Sequence, residues 1–185
     1  MTTKITPFII VFGCYLALHF FQFFVIFPLE AKYSSNLTFA ASLFFLPHLV
    51  RVLAVWMLGP MAFFALLPAD IIIHLIIRQL TDIQIFIPLI GSGCAVIAFE
   101  LFKLAGLNFY LTATNKSNWR PLLLIGAVAS VINSVSSSLL YQGLILPEDS
   151  LLLVGNYLVG DILGLFFGLL MLTVLGRLLR LNAAR

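Results

Sequence analysis

The chain has 185 residues, of which 62% are hydrophobic and 9% are charged, and its mean hydropathy is +1.15. Too few polar groups are present to cover the surface of a soluble globule, so this composition predicts an integral membrane protein. The ten basic residues are scattered among apolar segments and form no basic patch, so the net charge of +3 does not indicate nucleic-acid binding.

The length limits the architecture, because each membrane crossing by a helix needs about 20 apolar residues. The sequence therefore predicts an all-α integral membrane protein, with residues 1–185 forming a single bundle of about six transmembrane helices and no soluble domain. The predicted spans are residues 5–29, 37–58, 61–79, 84–106, 121–146 and 151–175.

The basic residues predict an orientation, because cytoplasmic loops of membrane proteins are enriched in Lys and Arg. With the N-terminus inside, two basic residues, Lys32 and Arg78, lie outside and Arg51 lies within the membrane. The inner side then holds Lys4, Lys103, Lys116, Arg120, Arg177, Arg180 and Arg185. We therefore expect both termini in the cytoplasm and a multi-pass protein of the bacterial inner membrane.

The second predicted span carries Pro47 in its middle, followed by His48 and Arg51. Proline removes one backbone hydrogen bond and predicts a kinked or broken helix. Arg51 stays charged and needs a partner at this depth. Arg51 and Glu100 each lie about seven residues from the cytoplasmic end of their predicted spans, at about 1.5 Å per residue, so we predict an ion pair between them.

Three further polar residues, His48, Asp70 and Asp161, fall near the predicted midplane, and His74 lies further toward the outer face. Asp70 and His74 are four apart and share a helix face. Charged groups inside a membrane face partners or water, so these residues predict a polar core. The core is compatible with ion or proton passage or with structural hydrogen bonds between helices. A haem site at His48 and His74 is a third interpretation.

Small residues recur at four-residue steps on the last two spans and predict faces for close helix packing. The predicted packing residues are Gly160, Gly164 and Gly168 on the sixth span and Gly126, Ser130 and Ser134 on the fifth.

Three motifs resemble those of the MASE1 family, a bacterial membrane-integrated sensory domain, over residues 37–175. They are Leu58-Gly-Pro60, Ile90-Gly-Ser92 and Tyr157-Leu-Val-Gly-Asp-Ile-Leu-Gly164. The family's last motif resembles W-x-G-D-x-x-G, of which Gly160, Asp161 and Gly164 match, while Tyr157 or Leu158 stands in place of the tryptophan. Family members usually feed a cytoplasmic kinase or cyclic-dinucleotide domain, so the resemblance implies an output on another polypeptide or an accessory role in a complex.

The sequence contains no H-E-x-x-H, G-x-S-x-G or phosphate-loop motif, and Cys14 and Cys94 lie in apolar runs without C-x-x-C spacing. We therefore expect a non-enzymatic sensory or accessory subunit without a cofactor. Its expected partners are the lipid bilayer and a membrane protein or a second copy, with no nucleic acid. The alternatives are a membrane transport component that binds a small molecule or ion, and a haem-binding redox subunit.

Overall fold

The structure, a computed structural model, describes residues 2–33, 42–78, 86–111, 120–140 and 147–183. These residues are almost all helical, and they include five helical runs long and apolar enough to cross a membrane. The prediction of an all-α membrane bundle is confirmed.

The first run consists of α1 (Thr2–Phe21), a π-helical turn (Gln22–Ile26) and α2 (Phe27–Tyr33). The second consists of α3 (Pro47–Leu58), a 3₁₀ turn (Gly59–Ala62), α4 (Phe63–Ile73) and a second π-helical turn (His74–Arg78). The remaining runs are α5 (Ile87–Leu104), α6 (Arg120–Leu140) and α7 (Pro147–Ala183).

The run from Pro47 to Ile77 folds back on itself. In a straight helix Arg51 and Asp70 would lie roughly 28 Å apart, but their side chains approach to 3.7 Å. Gly59 makes the reversal after α3 with a φ of 65°, a conformation that glycine adopts at little cost. The five runs therefore supply six bundle segments, in agreement with the predicted number.

Side-chain contacts show the directions of the segments. The pairs are Tyr15 with Arg51, Gln22 with Leu46, Phe45 with Gly164, Leu49 with Gly168, Gly126 with Leu165, and Ser130 with Tyr157. α3 thus runs antiparallel to α1 and parallel to α7, and α7 runs antiparallel to α6. α4 returns alongside α3, and α5 runs antiparallel to α4, since Gly93 faces Phe63 and Gly91 faces Asp70. The segments alternate in direction, so the start of α1 and the end of α7 lie at the same end, which we call the terminal end.

The predicted and observed boundaries differ most in the second span. Residues 42–46 are not helical and α3 begins only at Pro47, because this proline has no N–H to extend the helix backward. α5 ends at Leu104, two residues before the predicted end of its span. Residues 37–41, 79, 84–85 and 141–146 of the predicted spans lie outside the described residues, as do Lys116 and Arg185.

The apolar core lies between α1, α3, α4, α5, α6 and α7 and contains many small side chains. Ala69, Ala95, Ala98 and Ala129 are fully buried, which allows the close backbone approach on which helix packing in lipid depends. α7 has 37 residues and a length of about 55 Å, well beyond the ~30 Å of a hydrocarbon core. From Leu170 to Leu179 every residue of α7 is exposed.

Candidate functional site

Residues 42–46, which we call the broken segment, lie before α3 and are not helical, and three of their N–H groups find other partners. These hydrogen bonds run from Phe44 N–H to the Ser42 hydroxyl (3.1 Å), from Phe45 N–H to the Gly160 carbonyl (2.9 Å) and from Leu46 N–H to the Gln22 side-chain oxygen (3.2 Å). Inside a membrane, backbone that is not helical is tolerated only when such partners are supplied. Gln22 on the first run and Gly160 on α7 supply two of them.

The glycine face of α7 makes room for this segment. A Cβ at Gly160 would collide with the Ser42 carbonyl, and a Cβ at Gly164 with the Phe45 carbonyl. Gly168 lies against the Leu49 side chain in the same way. The predicted packing face is therefore an internal contact, and its partner is largely non-helical backbone rather than a second regular helix.

The predicted small face of α6 contacts both α7 and α3. Gly126 packs against Leu165, and the carbonyl of Gly126 accepts a hydrogen bond from His48 Nε2 at 3.0 Å. The Ser130 hydroxyl donates to the Tyr157 carbonyl at 3.4 Å. Ser134 is buried, but its hydroxyl bonds within its own helix, to the Val131 carbonyl at 3.1 Å.

Arg51 is buried, with 5% of its surface exposed. Its Nε donates to the Tyr15 hydroxyl at 2.6 Å, and its Nη2 lies 3.7 Å from Asp70 Oδ2. Its guanidinium also lies 5.4 Å from the centre of the Phe45 ring, within the range of a cation–π contact. The third nitrogen, Nη1, has no hydrogen-bond partner among the described residues.

Asp70 is the centre of a cluster drawn from α1, α3, α4, the second π turn and α5. We call it the Arg51 cluster, and its members are Tyr15, His19, Arg51, Asp70, His74 and Ser92. Ser92 donates to Asp70 Oδ2 at 3.4 Å, His19 Nε2 lies 3.9 Å from Oδ1, and His74 Nδ1 lies 3.7 Å from Oδ1. His74 Nδ1 also bonds the Asp70 backbone carbonyl at 2.8 Å. Arg51 and Asp70 together carry no net charge, and Ser92 donates a hydrogen bond to the carboxylate.

His48 and Asp161 form a second pair, separate from the Arg51 cluster. Both are fully buried, and His48 Nδ1 lies 3.6 Å from Asp161 Oδ2. His48 Nε2 must carry hydrogen, because the Gly126 carbonyl that it contacts only accepts. A neutral His48 therefore turns the lone pair of Nδ1 toward the carboxyl group. Since two lone pairs would repel, one proton belongs on Nδ1 or on Asp161, and the pair is then neutral overall.

The predicted pair between Arg51 and Glu100 is wrong. Glu100 lies four residues before the end of α5, its side chain is 36% exposed, and it accepts hydrogen bonds from Tyr110 (2.7 Å) and Lys103 (3.5 Å). The chain turns back after Leu104 through Gly106, whose φ is 84°, and so returns Tyr110 to Glu100. Burial, and then the hydrogen bond to Glu100, raise the pKa of Tyr110 above its usual range.

A cavity of about 60 Å³ lies between the Arg51 cluster, the broken segment, α6 and α7, and it has room for about four water molecules. Its main polar lining residues are His19, Gln22, Arg51, His74, Asn133 and Ser137. Gln22 and His74 are the first residues of the two π-helical turns, a local geometry that is frequent at functional sites.

The cavity lies at the end of the bundle opposite the terminal end. Its lining comes from the far part of the first run, the second π turn, the start of α5, the far half of α6 and Tyr157 in the first part of α7. Phe27, Ile77 and Ile87 line it nearest to the helix ends, whereas Arg51 and Gly91 lie deeper along their helices.

The predicted polar core is thus divided into two sites. Arg51, Asp70 and His74 belong to the Arg51 cluster, His48 and Asp161 form the second pair, and Glu100 belongs to neither. The predicted core did not include seven residues that the structure places in these sites, namely Tyr15, His19, Gln22, Ser92, Asn133, Ser137 and Tyr157. Tyr15 could have been found, because Tyr15, His19 and Gln22 follow one helix face at steps of four and three residues.

The chain matches no protein-family model, and no curated protein or solved structure is significantly similar to it. The resemblance to the MASE1 family stays a prediction. Within the described part of the chain, no group of three or more His, Cys, Asp and Glu side chains is arranged to hold a metal ion.

Proposed function

We propose that this chain is a non-enzymatic, membrane-embedded sensory or accessory subunit that binds a small polar ligand in its cavity. The observation that carries this proposal is the cavity itself, whose wall combines Arg51, two histidines and several uncharged polar groups inside a membrane bundle. Polar side chains at this depth cost free energy unless they contact a protein partner, water or a ligand.

α7 supports the sensory part of the proposal, because it touches the cavity and also extends beyond the packed bundle. Tyr157 lines the cavity, Gly160 and Gly164 hold the broken segment, and the helix continues to Ala183, with an exposed surface from Leu170 to Leu179. A ligand that moves the broken segment would therefore act directly on α7, and the exposed part of α7 would pass the change to a partner.

The orientation predicted from the basic residues fits this scheme. With both termini in the cytoplasm of a bacterial cell, the terminal end is the inner end and the cavity belongs to the outer half of the membrane. The subunit would then receive a ligand from outside the inner membrane and present the last part of α7 at the cytoplasmic side, in the manner that the MASE1 resemblance implies.

Photo-crosslinking in native membranes tests the proposal. A crosslinking residue at Leu175, on the exposed part of α7, is compared with one at the exposed Ile9 on α1. We expect a protein adduct that is specific to Leu175 and whose yield changes when Ser137→Leu fills the cavity. Identical adducts at both positions, or a yield that does not respond to the filled cavity, would contradict it.

A carrier is the second candidate, and the broken segment favours it. Discontinuous membrane helices beside a polar midplane site are a recurring feature of transporters. Flux of labelled ligand across liposomes containing the purified protein separates the candidates, since a receptor binds without net transport.

The haem alternative is tested by the visible absorption spectrum of the purified protein. His48 and His74 belong to different clusters, and each bonds a backbone carbonyl.

A further inference from the structure

The guanidinium of Arg51 presents hydrogen-bond donors that the described protein does not use. Nε is satisfied by Tyr15 and Nη2 faces Asp70, but the buried Nη1 has no hydrogen-bond partner among the described residues. A buried donor without a hydrogen-bond partner costs free energy, and a ligand that supplies an acceptor removes this cost. Arg51 is also one of the residues that line the cavity.

The cavity wall is electrostatically biased toward anions. Its described residues include Arg51, His19 and His74 but no Asp or Glu. Asp70 contacts Arg51 but is not one of the described lining residues. A negative group in the cavity would therefore meet the guanidinium of Arg51 and the donors of Asn133 and Ser137, with no carboxylate in the described wall to repel it.

We infer that the cavity is a binding site for a small oxyanion, a carboxylate or phosphate group that accepts hydrogen bonds from Arg51 Nη1. Guanidinium groups bind these two classes of anion well, because their donors match paired oxygen atoms. The side-chain amide of Asn133 and the hydroxyl of Ser137 belong to the same wall and can complete the coordination. The inference rests on the proposed function and names the class of ligand.

The size and the apolar part of the wall limit the rest of the ligand. A cavity of about 60 Å³ admits the charged group and only a few further atoms. Phe23, Ile77 and Ile87 line it as well and suit a short alkyl portion. A short-chain carboxylate meets these conditions as a free ligand, and the phosphate of a lipid headgroup meets them when its acyl chains remain outside.

The test uses the full chain in nanodiscs of an uncharged galactolipid, whose headgroup carries no phosphate, with thermal unfolding as the readout. Acetate, propionate and inorganic phosphate are titrated, and sodium chloride at equal ionic strength and the neutral acetamide serve as controls. We expect a saturable rise in unfolding temperature with at least one oxyanion and none with the controls, because a ligand that binds only the folded state stabilises it. Nanodiscs with anionic lipid distinguish the sources: a headgroup ligand stabilises the protein without added acid and removes the response to acetate.

Two variants locate the binding. Ser137→Leu fills the cavity from α6, whereas Ser138→Leu makes the same change one position along, at a residue that does not line it. We expect at least a tenfold loss of apparent affinity in the first and no change in the second. If the Arg51→Gln variant folds, we expect it to show no response to oxyanions. If it does not fold, the comparison of Ser137→Leu with Ser138→Leu still decides the test.

The possible failures are distinguishable. If no oxyanion stabilises the protein beyond sodium chloride in either lipid, or if Ser137→Leu binds as the wild type does, the oxyanion site is wrong. If acetamide alone gives a saturable response that Ser137→Leu removes, the cavity binds a neutral ligand, so the proposed function stands and this inference fails. If no probe binds and the crosslink yield at Leu175 is unchanged by Ser137→Leu, both the proposed function and the oxyanion inference fail.

Discussion

The two buried pairs of the bundle have nearly the same separation but different surroundings. Arg51 and Asp70 lie 3.7 Å apart beside a polar cavity, and Tyr15, Ser92 and two histidines stand around them. His48 and Asp161 lie 3.6 Å apart, and neither oxygen of Asp161 has a hydrogen-bond partner among the described residues.

The two pairs differ in whether a proton can move between their members. Arg51 stays charged in proteins, so its pair carries two full charges that must be stabilised by neighbouring dipoles. His48 and Asp161 share one proton and can both be uncharged, so their site can be apolar and closed. The Arg51–Asp70 pair, with its fixed charges, is therefore surrounded by polar groups and lies beside a cavity. The His48–Asp161 pair, which shares a proton, does not require such surroundings.

The comparison is tested most strongly by Asp70→Asn, for which we expect the largest loss of stability. This change keeps the shape of the side chain but leaves the charge of Arg51 uncompensated, a situation that typically costs about 3–5 kcal/mol. Thermal or denaturant unfolding in nanodiscs measures it. Combining it with Arg51→Leu should restore part of the loss, whereas additive losses would show that the two residues do not interact.

Glu100→Gln is the matched control for that experiment. Glu100 is a carboxylate on a neighbouring helix that was predicted to pair with Arg51, but the structure gives it Tyr110 and Lys103 as partners at a partly exposed position. We expect its unfolding temperature to stay close to that of the wild type. A loss as large as that of Asp70→Asn would restore the predicted pair and overturn the assignment made from the structure.

A smaller loss is expected from Gly164→Ala, which tests the contact that holds both pairs in place. The added Cβ would collide with the backbone carbonyl of Phe45, which cannot move aside as a flexible side chain can. Overpacking of this kind costs about 1–3 kcal/mol. Gly155→Ala is the matched control, because a Cβ there meets nothing within 4 Å on the same helix. Equal effects of the two changes would contradict the contact.

The membrane class, the segment number and the broken second span could be predicted from the sequence, because hydropathy and the position of Pro47 determine them locally. The partner of Arg51 could not be predicted by counting from assumed span ends. Counting from the reversal at Gly59 is better, since Arg51 lies eight residues before it and Asp70 eleven residues after it. The two are then at similar depth.

The cavity depends on information that a single sequence does not contain. Asn133 and Ser137 are four residues apart and share a face of α6, but their direction depends on how α6 rotates against α7. The glycines of α7 predicted a close approach without showing what approaches. That the partner is the broken segment depends on long-range packing, in which Gly160 supplies a carbonyl to Phe45.

Among the three test variants, the smallest effect is expected from Asp161→Asn, which makes in the second pair the same change that Asp70→Asn makes in the first. The new amide can donate a hydrogen bond to His48 Nδ1 and so replaces the shared proton, while Nε2 keeps its bond to the Gly126 carbonyl. No charge is left uncompensated, so we expect a loss of about 1 kcal/mol or less, the size of a rearranged neutral hydrogen bond. Unfolding measured alongside Asp70→Asn gives the ratio directly. If the two asparagine variants lose equal stability, His48 is a cation facing an ionised Asp161, and both pairs carry fixed charges.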